Sequence, residues 1–157
     1  MSPRFQPAEE GHVVNIIAPI DINGAGASSD VFSMEGYSHA TIILQLGVTG
    51  AASTVTLKEC DNFTPTTATA IAFSYYSETT AAGDTLSGKT AATTAGFATS
   101  TNDGVMYVIE VDAADLTDGY PNLQLCLTDP SAATLASAVA VLSGARYAES
   151  TSGTAIA

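Results

Sequence analysis

Short runs in which apolar and polar residues alternate constrain the fold of this chain more than any other feature of its sequence does. Residues 40–47 place an apolar side chain at every even position, and residues 105–112 place one at every odd position. A period of two is typical of a strand with one buried face. Segments rich in Gly, Ser, Asn and Asp separate these runs, which indicates turns. The pattern therefore predicts an all-β chain.

The same pattern places the individual strands. They are predicted at residues 12–18, 31–34, 40–47, 54–60, 70–76, 105–112, 122–128 and 137–147. The low-complexity segment 77–100 fits either a long exposed loop or weak strands such as residues 93–98. One helical turn is predicted at residues 112–116, with Asp112 as its N-cap. Strands of this number and length, without a long helix, predict an antiparallel β-sandwich or a small, jelly-roll-like barrel.

Composition supports an all-β fold. Ala, Thr and Ser supply 27, 21 and 15 of the 157 residues, whereas lysine and glutamate are scarce. Threonine suits the exposed face of a strand, while helical proteins of this size usually carry many Lys, Glu, Gln and Leu residues. A chain of 157 residues is also long enough to bury one core without disulfides.

The predicted β-domain covers residues 12–148, between two less regular ends. Residues 1–11 contain two prolines and a pair of glutamates without periodicity, so we expect a flexible arm that can lie along a partner subunit. A frayed terminus without a role is the alternative. Residues 149–157 are predicted to form a flexible tail.

Charge excludes some classes of partner. Sixteen acidic residues against four basic ones give a net charge of −12. The four basic residues, Arg4, Lys58, Lys89 and Arg146, are scattered along the sequence, so they form no phosphate-binding stripe and nucleic acid is not an expected partner. The apolar runs are too short to span a membrane, and residues 1–11 lack the apolar core of a signal peptide.

The sequence offers no complete set of catalytic or metal-binding residues. His12 and His39 each lie at the start of a predicted strand, outside any HxH, HxxxH or HExxH pattern. Asp112, Asp115 and Asp118 are spaced by three, which does not match a calcium-binding loop. No GxSxG nucleophile motif occurs. We therefore predict a chain that is not an enzyme and uses no cofactor.

Two further residue types have structural interpretations. Cys60 and Cys126 are predicted on the outward faces of their strands, where they could pair, although free thiols are the expectation for a chain made in a reducing cytoplasm. Tyr75 and Tyr76 are adjacent, so one of them must point away from the core and could anchor an interface.

The candidate interface residues come from the arm and from this tyrosine pair. They are Arg4, Phe5, Pro7, Tyr75 and Tyr76.

Three parts of the sequence together resemble small structural proteins of tailed bacteriophages. They are YSHATIILQLG at residues 37–47 leading into STVTLKECDN at 53–62, YVIEVDAADL at 107–116, and AVLSGARYAES at 140–150. The resemblance is to head decoration or minor capsid proteins. The Ala-, Thr- and Gly-rich segment 79–100 is longer than such proteins lead us to expect.

This resemblance implies a capsid decoration, or cement, protein. Such a protein would bind the major capsid protein on the outer surface of the head, as a homotrimer assembled in the host cytoplasm, and would stabilise the shell. An outer location suits the negative charge, since packaged DNA would repel it. The alternatives are a tail or head-to-tail connector subunit and, less favoured because Trp is absent, a carbohydrate-binding β-module.

Overall fold

The computed structural model describes residues 6–81 and 83–146, and nearly all of their regular structure is β. The strands within these ranges are β1 (His12–Asp21), β2 (Ala27–Ser28), β3 (Phe32–Ser33), β4 (Tyr37–Thr49), β5 (Thr54–Cys60), β6 (Ala68–Ile71), β7 (Phe73–Glu78), β8 (Thr90–Ala92), β9 (Phe97–Ala98), β10 (Met106–Asp112), β11 (Asn122–Leu127) and β12 (Thr134–Ala145). Two helical turns accompany them, α1 (Pro7–Glu10) and a 3-10 turn (Ala113–Asp115).

These strands form two antiparallel sheets that pack together, which confirms the predicted β-sandwich. Sheet A has the order β1-β12-β4-β10-β7-β8. In sheet B, β11 and β5 are central; β2 and β3 both pair with β11, and β6 and β9 both pair with β5. The fold is therefore a sandwich whose two layers are built from strands distant in sequence.

The core lies between the inward faces of the two sheets, as the alternation predicts. The even positions of β4 from 40 to 46 and the odd positions of β10 from 107 to 111 are buried. In sheet B, Leu125 and Leu127 of β11 lie opposite Leu57 and Val55 of β5, and all four are buried. Fully burying a side chain of this size stabilises a fold by about 1.5–3 kcal/mol.

The strand predicted at residues 70–76 is in fact two strands in different sheets. Ala72 separates β6 in sheet B from β7 in sheet A, so the chain crosses between the layers at this point. Ile71 pairs with Leu57 of sheet B, whereas Phe73 pairs with Ala92 of sheet A. Both sides of the crossing are apolar, and for this reason the sequence alone does not reveal the break.

The low-complexity segment combines both predicted alternatives. Residues 83–89 have no regular structure, while Thr90–Ala92 and Phe97–Ala98 form short strands in sheets A and B. Thr93 and Gly96 pair across the turn between them. The segment therefore contains another connection between the two sheets, close to the crossing at Ala72.

The irregular arm predicted for residues 1–11 contains a helical turn. Pro7 begins this turn, where its fixed φ suits a helix, and the amide of Gly11 donates to the carbonyl of Pro7 at 3.0 Å. Arg4 and Phe5 lie outside the described residues, as do Tyr147 at the end of the last predicted strand and the whole tail.

The predicted helical turn after β10 is confirmed as a 3-10 turn, but its capping differs from the prediction. Asp112 occupies the N-cap position without a side-chain hydrogen bond to the turn. Its carboxylate instead contacts His39, which lies opposite it on β4.

Both cysteines are free thiols. The predicted exposure of Cys60 is wrong: its side chain is fully buried at the end of β5, beside its buried cross-strand neighbour Asn122. Burial raises the pKa of the Cys60 thiol, and Cys126 adds to this effect.

Candidate functional site

The outward face of sheet A carries a row of apolar side chains that crosses four adjacent strands. In this apolar row, Val139 of β12 lies opposite Ile43 of β4, Ile43 lies opposite Val108 of β10, and Val108 lies opposite Tyr76 of β7. All four are only half-buried. Val13 of β1 extends the apolar surface and is 50% exposed. An apolar strip on an open sheet face is typical of a surface that contacts another molecule.

The outward face of sheet B has the opposite character. Thr54, Thr56 and Lys58 of β5 occupy it, together with Gln124 and Cys126 of β11. Polar side chains of this kind suit a face that stays in water. The two sheets therefore differ, and the asymmetry marks sheet A as the candidate docking face.

Two of the sequence-predicted interface residues border the apolar row. Tyr76 ends it, and Pro7 lies beside it, where α1 and the outward face of sheet A enclose a groove of about 380 Å³. Ile43 and Val141 line the sheet side of this groove. The structure thus places Pro7 and Tyr76 next to the same face, while Arg4 and Phe5 lie outside the described residues.

Tyr75 has a different environment, because its ring belongs to an aromatic cluster of the core. It stacks on Phe97 with 3.9 Å between ring centroids, and Tyr107 lies 5.0 Å from the same ring of Phe97. The phenol of Tyr107 accepts a hydrogen bond from the amide of Ser100 at 2.6 Å. Burial raises the pKa of the Tyr107 phenol, although this hydrogen bond opposes the effect. Tyr76 is therefore the outward member of the tyrosine pair.

A second feature is an acidic cleft of about 920 Å³, at the end of the sandwich where β7 begins. Four carboxylates line it, Glu59, Glu110, Asp112 and Asp115, together with Lys89 and His39. Its other walls are largely apolar, with contributions from Ile71, Phe73, Tyr76, Ala91 and Ala92. The cleft thus combines negative charge with apolar surface.

His39 is held between two of these carboxylates. Its Nε2 lies 2.6 Å from Oε2 of Glu110, and its Nδ1 lies 2.7 Å from Oδ1 of Asp112. The hydroxyl of Thr41 donates to the same Glu110 oxygen at 2.8 Å. Only a doubly protonated imidazole donates from both nitrogens, so the geometry favours the cationic form. Burial lowers the pKa of His39, but the hydrogen bonds that its ring donates to Asp112 and Glu110, together with the negative charge of these carboxylates, outweigh it, and the net shift is upward.

Glu59 is the most enclosed carboxylate of the acidic cleft. It is only 5% exposed, because it lies on the inward face of β5 after Val55 and Leu57. Its Oε2 accepts a hydrogen bond from the amide of Thr117 at 2.8 Å. Within the described residues, no donor reaches its Oε1.

Sequence reasoning does not find this cleft. His39 and Thr41 alternate on one strand, and Glu110 and Asp112 alternate on another, so each pair shares a face. Which strands pair, and in which register, decides that His39 lies opposite Asp112. That information is not local to either segment.

Comparison with protein-family models, with curated proteins and with solved structures finds no match for this chain. The fold and the two surface features therefore carry the functional argument. Within residues 6–81 and 83–146, no group of three or more His, Cys, Asp or Glu side chains is arranged to hold a metal ion. Across the same ranges, neither helical turn has the length or the apolar sequence to span a bilayer.

Proposed function

We propose that this chain is a structural protein of a tailed-phage virion, a decoration protein that binds the outside of the head shell and stabilises it. The observation that carries the proposal is the apolar row on the open face of sheet A, which contrasts with the polar face of sheet B. In this proposal the protein stabilises the shell by binding to it, through shape and apolar contact, and not through reactive side chains.

The edges of sheet A support docking through its face. Edge strand β1 contains Pro19 and two register shifts, and the opposite edge strand β8 has three residues. Proline, bulges and short edges prevent a sheet from adding further strands. A partner that binds sheet A would therefore contact side chains on its face rather than extend its ladder.

Three of the segments that resemble phage structural proteins lie together in sheet A, whereas residues 53–62 supply β5 of sheet B. Residues 37–47, 107–116 and 140–146 belong mainly to β4, β10 and β12, which are neighbours in the centre of sheet A. They supply two of the four residues of the apolar row, Ile43 and Val108. The resemblance and the candidate docking face thus coincide in one part of the fold.

Because many copies would bind one shell, a small interface per subunit would be enough for stable attachment. A homotrimer linked on a regular lattice gains avidity, so each subunit needs only a weak contact with the major capsid protein. Binding to the expanded shell alone would stabilise that shell by mass action. The negative charge of the chain agrees with a position outside the shell.

The direct test is reconstitution on heads. Purified protein is added to expanded heads of the encoding phage that lack it, and occupancy is measured by sedimentation and quantitative gel analysis. Val108→Glu places a charge in the middle of the apolar row, and we expect it to reduce occupancy at least about tenfold, the equivalent of about 1.4 kcal/mol.

Thr56→Glu is the matched control, since it adds the same charge to the outward face of sheet B. It should leave occupancy unchanged. Equal loss with both variants, or no binding of the unmodified protein to heads, contradicts the proposal. Native mass spectrometry tests the trimer, and rings of six or twelve subunits would favour a connector instead.

A further inference from the structure

The acidic cleft contains carboxylate groups that the described chain does not neutralise. His39 forms ion pairs with Glu110 and Asp112, and within residues 6–81 and 83–146 no other ion pair occurs. Glu59 and Asp115 therefore line the cleft without a cationic partner in the described part of the chain. Lys89 also lines the cleft but makes no ion pair with them.

Glu59 distinguishes this cleft from an ordinary acidic patch. An ionised carboxylate that is 95% buried is costly unless its oxygens receive hydrogen bonds. The Thr117 amide satisfies Oε2, and Oε1 remains without a donor in the described residues. The second oxygen of this buried carboxylate can therefore accept a hydrogen bond from a donor group that enters the cleft.

The remaining walls define the shape of that ligand. Ile71 and Ala91 offer apolar surface for an alkyl stem, and Tyr76 adds an aromatic ring to the lining, a group to which cations are attracted. A guanidinium group fits these walls better than an ammonium, because it is planar and donates two parallel hydrogen bonds to a carboxylate. The volume of about 920 Å³ exceeds that of one side chain and admits a short stretch of backbone as well.

We propose that the acidic cleft binds an arginine side chain presented by a polypeptide partner, with its guanidinium on Glu59 and Asp115 and its stem against Ile71 and Tyr76. Four carboxylates against Lys89 and His39 leave an excess of negative charge, which supplies the charge complementarity. This site does not depend on the proposed function, because a short peptide tests it without any capsid.

The probe is the peptide acetyl-Gly-Arg-Gly-amide, titrated into the ¹⁵N-labelled protein at low ionic strength and followed by amide chemical shifts. Its control replaces arginine by citrulline, which keeps the shape and removes the charge. We expect saturable shifts around Thr117 and Tyr76 with the arginine peptide, and at least about tenfold weaker binding of the citrulline peptide.

Two variants locate the contact. Glu59→Gln should weaken binding of the arginine peptide about tenfold or more, as removal of a charged hydrogen bond does. Asp115 is exposed, so Asp115→Asn should keep the fold even if Glu59→Gln unfolds the protein. We expect Asp115→Asn to weaken binding of the arginine peptide about two- to fivefold. The matched control is Asp30→Asn, which removes the same charge beside β1, at the opposite edge of the sandwich.

Unchanged affinity with Asp30→Asn and reduced affinity with the cleft variants support the site. Equal binding of the arginine and citrulline peptides overturns it, and so do shifts scattered over the surface. Equal effects of Asp115→Asn and Asp30→Asn also overturn it, because they would show general electrostatic attraction only. None of these results depends on whether the protein binds phage heads.

Discussion

His39 is the residue whose protonation links the acidic cleft to the stability of the fold. Two carboxylates on the neighbouring strand hold it, at 2.6 and 2.7 Å, and its side chain is 32% exposed. Because its folded pKa is raised above 6.5, its contribution to stability is fully present below about pH 6.5 and is lost as the pH rises through the raised value.

We predict that Asp112→Asn lowers the pKa of His39, because it removes both a hydrogen bond and a negative charge. An NMR titration of the His39 ring measures this directly. In urea unfolding, the stability lost by Asp112→Asn should be larger near pH 6 than near pH 9, by about 0.2–1 kcal/mol, the range of exposed ion pairs.

Asp118→Asn is the control for this prediction, since it removes the same charge outside the ion-pair cluster. It should move the pKa of His39 less than Asp112→Asn does. If both variants move it equally, the contact with Asp112 is not what raises the pKa.

A second prediction at the residue scale concerns Gly96, which has a φ of +76°. An alanine there would bring its Cβ against the carbonyl oxygen of Val55. Gly24 has a φ of +87° but nothing within 4 Å of the added Cβ, so Gly24→Ala measures the backbone strain alone. We expect Gly24→Ala to cost about 1–2 kcal/mol in urea unfolding and Gly96→Ala clearly more. Equal costs would mean that the turn at Gly96 moves away from β5 without loss.

Single residues were partly predictable from the sequence. That one of Tyr75 and Tyr76 must face outward follows from strand geometry alone, and the structure shows that it is Tyr76. The burial of Cys60 does not follow in this way, because the alternation that holds along β5 through Glu59 ends before the strand does. Neighbouring strands decide burial at strand ends, and a local pattern contains no information about them.

At the scale of elements, the strongly alternating strands were predictable and the crossings between sheets were not. The strand at residues 54–60 has the predicted bounds, and β10 and β11 differ from theirs by one residue. In contrast, β2 falls within a segment that looks like a loop, and β6 and β7 look like one strand. Two-residue strands and crossings depend on partners far along the chain, so their sequence signal is weak.

The aromatic cluster gives a prediction for how the connection between β9 and β10 is held in place. Tyr107 of β10 accepts the hydrogen bond from Ser100, which follows β9, and so ties this connection to sheet A. We expect Tyr107→Phe to cost about 1 kcal/mol in urea unfolding, because the Ser100 amide loses its acceptor. Tyr76→Phe is the control, since no described group forms a hydrogen bond with the Tyr76 hydroxyl, and it should change stability by less than about 0.5 kcal/mol. If both substitutions cost the same, the hydrogen bond between Ser100 and Tyr107 does not stabilise this connection.

At the scale of the whole molecule, charge and apolar surface are distributed differently. The acidic cleft lies at one end of the sandwich, whereas the apolar row runs across the open face of sheet A, and the two meet at Tyr76. This arrangement allows a partner to contact both features at once: a basic segment in the cleft and apolar side chains on the face. Composition predicts the excess of acids but not where they gather, because their positions follow from strand register.

The net charge of −12 leads to a prediction for the molecule as a whole. A chain of this length folds to a radius of gyration of about 15 Å, so carboxylates on opposite sides repel one another at low salt, where the Debye length is about 30 Å. At physiological ionic strength the Debye length is about 8 Å and this repulsion is screened. We therefore expect the free energy of unfolding at neutral pH to rise when sodium chloride is added, and a gain of about 1 kcal/mol would raise Tm by about 2–4 °C. Near the isoelectric point of about 4.1 the gain should disappear, since the net charge there is close to zero.

Scanning calorimetry with and without sodium chloride, at neutral pH and near pH 4.1, checks this prediction. A salt effect of equal size at the two pH values would show that salt acts on apolar burial rather than on the repulsion between carboxylates.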